Sequence, residues 1–399
     1  MAVTVTNVAT YGFTVIAAHV LGPSEYGAVA SILATLLVVG VLQLGLQATG
    51  ARRLSNEPSH LAEIEGEVLR VGVRAAVGVG LLLLLLSPVV ERVLKLDRLS
   101  TAALLALTAV PLTLMGAQSG VLQGERRWPQ LSLIYLALGI PRLVVGGALI
   151  VWRPTQEAAM LGIALAAFAP AVVGWLALRH RTRSEVEAPA PVVRRHPTRD
   201  ILRETGHNSQ ALLAFFALSN ADVVVARHAL DPHRAGLYAA GLILTKAMLF
   251  LPQFVVVVAF PDLSTADLRR RALLSSLGLV GVLGVLGVAG AWLLPDLALV
   301  FVGGSAYSEI AGRLWLFALL GTILSMLQLL VYAVIARGGR RPVLLVWAAF
   351  AVVVVVGSTT ASVTGLLAVV LTCDAVLLAA LLLTDVRRVP ERAGAGAAQ

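Results

Sequence analysis

Asn220-Ala221-Asp222-Val223-Val224-Val225-Ala226-Arg227-His228-Ala229-Leu230-Asp231-Pro232, followed by an apolar run from Gly236 to Phe260 that carries Lys246, reads as a helical hairpin built for a membrane. Asp-Pro marks the turn, because proline lacks an N–H for a helix interior but suits the first helical position. Asp222 lies eight residues before Leu230, and Lys246 ten residues after Gly236. At ~1.5 Å per residue, both charges sit roughly 12–15 Å from the turn on antiparallel helices. A carboxylate and an ammonium at matching depth either form an ion pair or line one polar cavity.

The hairpin occurs twice. Shifting the chain by 209 positions lays His19-Val20-Leu21-Gly22-Pro23 on His228-Ala229-Leu230-Asp231-Pro232, Gly27 on Gly236, Ala30 on Ala239 and Leu54-Ser55 on Leu263-Ser264, without a gap. The shared Leu-x-Pro-x-x-x-Gly-x-x-Ala run is the specific part of this match. A spacing near half of 399 residues predicts two similar lobes in parallel repeat.

Composition sets the class. The chain is 58% hydrophobic and 13% charged, against about 25% charged in soluble domains. Its apolar segments reach the ~20 residues that a helix needs to cross ~30 Å of hydrocarbon. The alternation of a membrane β-barrel is absent. An all-α, polytopic membrane protein follows. The single cysteine, Cys373, excludes an intrachain disulfide framework and a cysteine-built metal site. No cleavable signal peptide is read at Met1-Ala2-Val3, so the first helix is expected to begin almost at once.

Hydropathy predicts twelve helices, near 2–20, 27–50, 71–90, 99–121, 131–151 and 158–178, then 209–230, 236–260, 272–294, 310–335, 343–357 and 366–384. Alternate loops and the tail on one side hold 21 arginines, against five Lys or Arg in the opposite loops. The positive-inside rule then puts both termini in the cytoplasm of a multi-pass protein of the inner membrane. This accounts for the net charge of +9 without nucleic acid. The expected domains are a six-helix lobe over 1–178, a Pro-rich cytoplasmic linker over 179–208, a second six-helix lobe over 209–385 and a disordered tail over 386–399. The Glu-rich 51–70 loop is expected to form a short surface helix.

Gly116-x-x-x-Gly120-x-x-x-Gly124 suits close helix packing. Glycines recurring every third residue from Gly278 to Gly290 lie in an unbroken apolar segment and read as packing as well. Pro111, Pro141 and Pro252 permit kinks that membrane helices tolerate.

Energy singles out the residues that carry chemistry. An Asp, Lys or Arg at mid-helix costs ~2.5–3.5 kcal/mol to insert, so Arg142, Asp222, Lys246 and Asp374 must face protein or a hydrated cavity. One reading pairs Asp222 with Lys246 and Arg142 with Asp374 as static contacts. The other gives Lys246, Arg142 and, nearer the surface, Arg227 to an anionic substrate, and Asp222 and Asp374 to a coupling ion or to positioning the cations. His19 and His228 read as packed or interfacial. Asn7, Tyr11, Thr14 and Ala18 share one helix face, Gln43 and Gln47 another, and Tyr238, Lys246 and Gln253 a third, as possible cavity walls. No Gly-Lys-Ser/Thr loop, His-Glu-x-x-His motif or external carboxylate pair is present, so ATPase, metalloprotease and glycosyltransferase chemistry are not expected, nor is any cofactor or metal.

Leu21-Gly22-Pro23-Ser24-Glu25-Tyr26-Gly27 with Ala51-Arg52-Arg53-Leu54-Ser55 resembles the opening of the polysaccharide flippases of the multidrug/oligosaccharidyl-lipid/polysaccharide exporter superfamily. The second half resembles it more closely, through Asn220-Ala221-Asp222, Leu230-Asp231-Pro232, Ala235-Gly236-Leu237-Tyr238-Ala239-Ala240 and Phe260-Pro261-Asp262-Leu263-Ser264. The resemblance implies two six-helix lobes around a V-shaped cavity and alternating access about a mid-membrane site. It implies flipping of a polyprenyl-diphosphate glycan, no enzymatic activity, and membrane lipids, a glycan polymerase and glycosyltransferases as partners. A proton- or sodium-coupled exporter and a non-transporting scaffold of a polysaccharide synthesis complex are the alternatives.

Overall fold

The computed structural model describes residues 1–56, 60–179, 198–250, 269–337 and 340–386, with side chains described outside 198–209, 269–273, 332–341 and 384–386. The expected features at Ala188–Pro191, Pro252, Gln253, Phe260–Ser264 and in the tail beyond 386 lie outside these residues. Among the described residues every element is helical.

The first element, α1 (Ala2–Asn56), has 55 residues and would stretch roughly 80 Å if straight. Gly22 folds it in two, with φ 70° and ψ 174°. That conformation favours glycine, and Pro23 next to it removes the N–H that would have continued the helix. The rest of the first half is α2 (Leu61–Leu85), the short α3 (Ser87–Val93), α4 (Leu99–Gly124), α5 (Trp128–Pro141), a π-helical turn (Arg142–Gly146), α6 (Gly147–Trp152) and α7 (Gln156–Arg179). The second half follows with α8 (Thr198–Ala229), α9 (Pro232–Met248), α10 (Arg269–Leu293), the short α11 (Pro295–Val302), a 3-10 segment (Gly304–Arg313), α12 (Leu314–Arg337), α13 (Arg340–Gly357) and α14 (Val363–Val386).

Nine of the described helices are long and apolar enough to span a membrane, with Pro342–Gly357 a shorter apolar one. Counting the two arms of α1 separately and including α9 gives twelve passes. This is an integral membrane protein, and its exposed Leu, Val, Phe and Trp side chains form the lipid-facing surface.

Three boundaries differ from the sequence reading. Helix α8 begins at Thr198, so part of the expected linker is helical. The Glu-rich stretch forms no separate surface helix: α1 runs to Asn56 and Glu63, Glu65 and Glu67 lie in the first turns of α2. Helix α9 reaches its C-cap at Leu249, and the rest of the stretch expected to 260 lies outside the described residues. Hydropathy locates the apolar stretch, whereas backbone hydrogen bonding carries a helix into polar sequence or stops it early.

The two hairpin turns solve one geometric problem with different residues. Asp231 holds φ −68° and accepts the Arg234 N–H at 3.0 Å as an N-cap, where Gly22 uses its positive φ. The turns meet at the centre of the molecule. A Cβ on Gly27 would lie 2.9 Å from the Gly236 Cα, and one on Gly236 would collide with the Pro23 carbonyl. Gly27 and Gly236, 209 residues apart, thus touch each other. Within the first half, Gly116 lies against the Gln43 backbone, Gly120 against Gln47 and Gly124 against Ala51 and Leu54. The glycine motif of α4 is thus a groove that seats the second arm of α1.

Candidate functional site

Between the halves lies a cavity of about 460 Å³. Its hydroxyls and amides, among them Asn7, Thr10, Tyr11, Thr14, Gln43 and Tyr135, come from the first half, where they are set among Leu33, Leu36, Leu112 and Ile163 beside the cation Arg142. Its second-half wall is apolar, with Phe216, Val223, Leu242, Ile243 and Phe250, plus the cation Lys246. Among the described residues no carboxylate and no histidine lines it. In low dielectric two like charges on facing walls draw an anion and repel a cation.

Local sequence sets each cation. Pro141 cannot donate a backbone hydrogen bond, and the helix relaxes into the π-helical turn that starts at Arg142. The Arg142 guanidinium carbon stands 5.2 Å from the Phe13 ring centroid, and Gly146 leaves room for that same ring. Such a cation–π contact contributes ~0.5–2 kcal/mol. Arg142 Nε is buried without a hydrogen-bond partner among the described residues. Lys246 reaches Asn220 Oδ1 at 3.4 Å, a long bond that leaves its ammonium under-used. Asn220 is itself fixed by its bond to the Phe216 carbonyl at 2.9 Å.

The two carboxylates lie behind the wall, not on it. Asp222 is 2% exposed and Asp374 1%. Val223 and Phe216 present one face of α8 to the cavity, while Asp222 is turned to accept the Tyr238 hydroxyl at 3.1 Å and the Val223 N–H at 2.8 Å. Neither pair that the sequence allowed makes a direct hydrogen bond or salt bridge among the described residues, although Asp222 and Lys246 are close enough for their charges to act on each other: Asp222 bonds Tyr238 and Val223, and Arg142 stacks on Phe13 within the first half. Asp374 Oδ1 is buried and unpartnered among the described residues, close enough to Asp222 for the two charges to act on each other.

Arg227 is not on the cavity wall. Each of its nitrogens donates to a carbonyl of the first half: Nε to Leu94 at 2.7 Å, Nη2 to Lys95 at 2.9 Å and Nη1 to Ser24 at 3.3 Å. Lys95 returns the contact by donating to the Leu230 carbonyl at 2.9 Å. The repeat supplies a counterpart. Tyr307, fully buried in the second half, donates to the Ala18 carbonyl at 2.9 Å and meets Tyr26 edge-on. Ala18 and Arg227 are 209 residues apart, as are Lys95 (φ 47°) and Gly304 (φ 78°). Each half therefore closes over the first helix of the other, and the cavity is shut at its hairpin end.

Of the expected wall residues, Asn7, Tyr11, Thr14, Gln43 and Lys246 line the cavity, while Ala18 and Tyr238 are buried in protein. Sequence reading passed over Thr6, Thr10, Gln123 and Tyr135. The threonines fall on the helical face already carrying Asn7 and Thr14, a signal that was present. Nothing local marks Gln123 or Tyr135, which the tertiary fold brings to Gln47.

This arrangement of helices around a central cavity is shared with solved membrane transporters. The chain superposes on the lipid II flippase MurJ in an inward closed conformation with TM-score 0.73 at 11% identity, covering 98% of this chain and 87% of that one. It superposes on an inward-facing multidrug resistance MATE family transporter of the MOP superfamily with TM-score 0.71 at 15% identity, covering 96% and 94%. An outward-facing MATE family structure gives 0.59 at 16% identity, covering 97% and 95%. No curated protein matches the chain. The family model for polysaccharide biosynthesis proteins matches residues 1–267, and the chain belongs to that family.

Proposed function

We propose that this protein flips a polyprenyl-diphosphate-linked glycan across the cytoplasmic membrane by alternating access, for surface polysaccharide synthesis. The carrying observation is a cavity between the halves with a cation from each, Arg142 and Lys246, and no carboxylate among its described lining residues. A diphosphate bridging the two would neutralise both and tie the halves together about the substrate. The arginine count puts both termini in the cytoplasm, so the hairpin end is the outer end and the described state is closed to the outside. Residues 1–178 and 209–385 act as the moving lobes, joined through 179–208. Arg227 serves as an outer latch rather than a substrate ligand. Asp222 and Asp374, adjacent and buried, take up a proton or cation in exchange for the substrate's charge. The protein works as a carrier and not as an enzyme, beside the glycosyltransferases and polymerase that make and use the glycan.

The test is flipping of a fluorescent polyprenyl-diphosphate sugar in proteoliposomes. Translocation by wild type, lost when both Arg142 and Lys246 are changed to Ala, supports the reading. A double variant as active as wild type overturns it. A cation-coupled exporter of cationic compounds finds support in the buried carboxylates, but the wall charge has the wrong sign for its cargo.

A further inference from the structure

A second cavity of about 370 Å³ adjoins the first and shares Val3 and Tyr135 with it. It is lined by two carboxamides, Gln47 and Gln123, two hydroxyls, Ser132 and Tyr135, and the Trp128 ring, with Met1, Ala2, Val3 and Leu131 completing the wall and no charged side chain among the described residues. We propose that this annex is the glycan subsite and takes a neutral, hydroxyl-rich sugar ring. The proposal rests on the flippase reading and extends it from the diphosphate to the sugar.

Four observations carry it. Gln47 is only 8% exposed, and its Nε2 donates to Gln123 Oε1 and to the Tyr135 hydroxyl, both at 2.8 Å. Its Oε1 is left buried without a donor among the described residues, an arrangement that costs free energy unless something supplies the missing hydrogen bond. The strip is also held in register from behind. Gly120 brings the α4 backbone against Gln47, and Gly116 does the same at Gln43, whose Nε2 has only the Met115 sulfur as partner, at 3.8 Å. A thioether is a weak acceptor, so the Gln43 amide at the central cavity wall remains available to a ligand.

The chemistry excludes the other parts of the substrate. With no Lys or Arg side chain in its described lining, the annex competes poorly for a diphosphate with Arg142 and Lys246 in the central cavity, and its polar side chains make it a poor seat for a polyprenyl chain. Sugar hydroxyls both donate and accept, which matches carboxamides and hydroxyls together, and Trp128 at the rim offers a ring face to the apolar side of a sugar. The geometry agrees with the order of groups in the substrate. Tyr135 precedes Arg142 by seven residues on one helical run, about 10 Å. A glycan leaving a diphosphate held at Arg142 thus reaches the annex toward the chain-terminus end of the protein.

The experiment measures binding of two probes to the full-length protein in nanodiscs: a short polyprenyl diphosphate, and the same lipid carrying a neutral disaccharide. Wild type is expected to bind the glycosylated lipid about tenfold more tightly, the worth of one or two added hydrogen bonds. Gln123→Leu and Ser132→Ala should each erode that advantage while binding of the bare lipid stays unchanged, which also reports that the variants are folded. If the sugar adds nothing in wild type, or its advantage survives both substitutions, the subsite is overturned while the diphosphate reading stands. If neither lipid binds wild type, the flippase reading falls and takes the subsite with it.

Discussion

Under the flippase reading proposed above, transport depends on Lys246 and Arg142, because each is a cation facing a membrane-buried cavity with no carboxylate among its described lining residues. A charge-assisted hydrogen bond contributes ~1.5–3 kcal/mol, so Lys246→Ala should weaken binding of a polyprenyl diphosphate by about 10- to 100-fold. Lys246→Arg, which keeps the charge but changes its shape, should retain most of the affinity; equilibrium binding in nanodiscs checks both. Backbone contact decides a second case. A side chain on Gly236 meets the Pro23 carbonyl, a group that cannot rotate away. Gly236→Val should therefore destabilise the protein by roughly 1–3 kcal/mol, the usual cost of overpacking, read as a lowered midpoint in thermal unfolding. Gly40→Val, where a Cβ meets open space, is the matched control.

At the scale of the element, the hairpin ends and the loops that cap them form the closure. Arg227 holds α8 to the 94–95 loop and to the first turn, and Tyr307 holds the 3-10 segment to α1. Removing the Arg227 side chain leaves three carbonyls short of a donor at once, whereas Tyr307→Phe removes one hydrogen bond. Arg227→Ala should shift the population toward a state open at the hairpin end, and Tyr307→Phe should shift it less. Spin labels at Asp97→Cys and His233→Cys, in a Cys373→Ala background, report the separation of the two tips. A longer mean distance in Arg227→Ala is the expected outcome, and an unchanged distribution would count against the latch. A lid held by hydrogen bonds to backbone carbonyls is insensitive to the chemistry of the side chains opposite, which suits a contact that must break and reform.

At the scale of the whole molecule, the two halves share a plan but not a chemistry. Gly27 and Gly236 meet, yet all of the cavity's hydroxyls and amides come from the first half, set among hydrocarbon from both. A lipid-linked diphosphate sugar, as proposed above, would meet both kinds of surface in that cavity. The arginine asymmetry predicts the orientation. An epitope after Gln399 should become accessible to antibody only when the inner membrane is permeabilised, and one inserted at the 231–234 turn should be accessible in intact spheroplasts. Antibody binding with the reverse pattern would invert the reading of which end is closed.

The sequence alone determined the class, the number of passes and the identity of the costly charges, because a hydrocarbon solvent makes each of these a matter of local composition. It even placed Lys246, Asn7, Tyr11, Thr14 and Gln43 on what proved to be the cavity face. Only the tertiary structure decided which charges face the cavity and which are sealed behind it. Asp222 and Lys246 lie at one depth, but Val223 and Phe216 take the open face of α8 and turn Asp222 toward Tyr238. Helix rotation depends on which neighbour packs where, and that is written in contacts between residues far apart in the chain. The joining of Gln47 with Gln123 and Tyr135, and of Arg227 with Leu94, Lys95 and Ser24, belongs to the same kind of information.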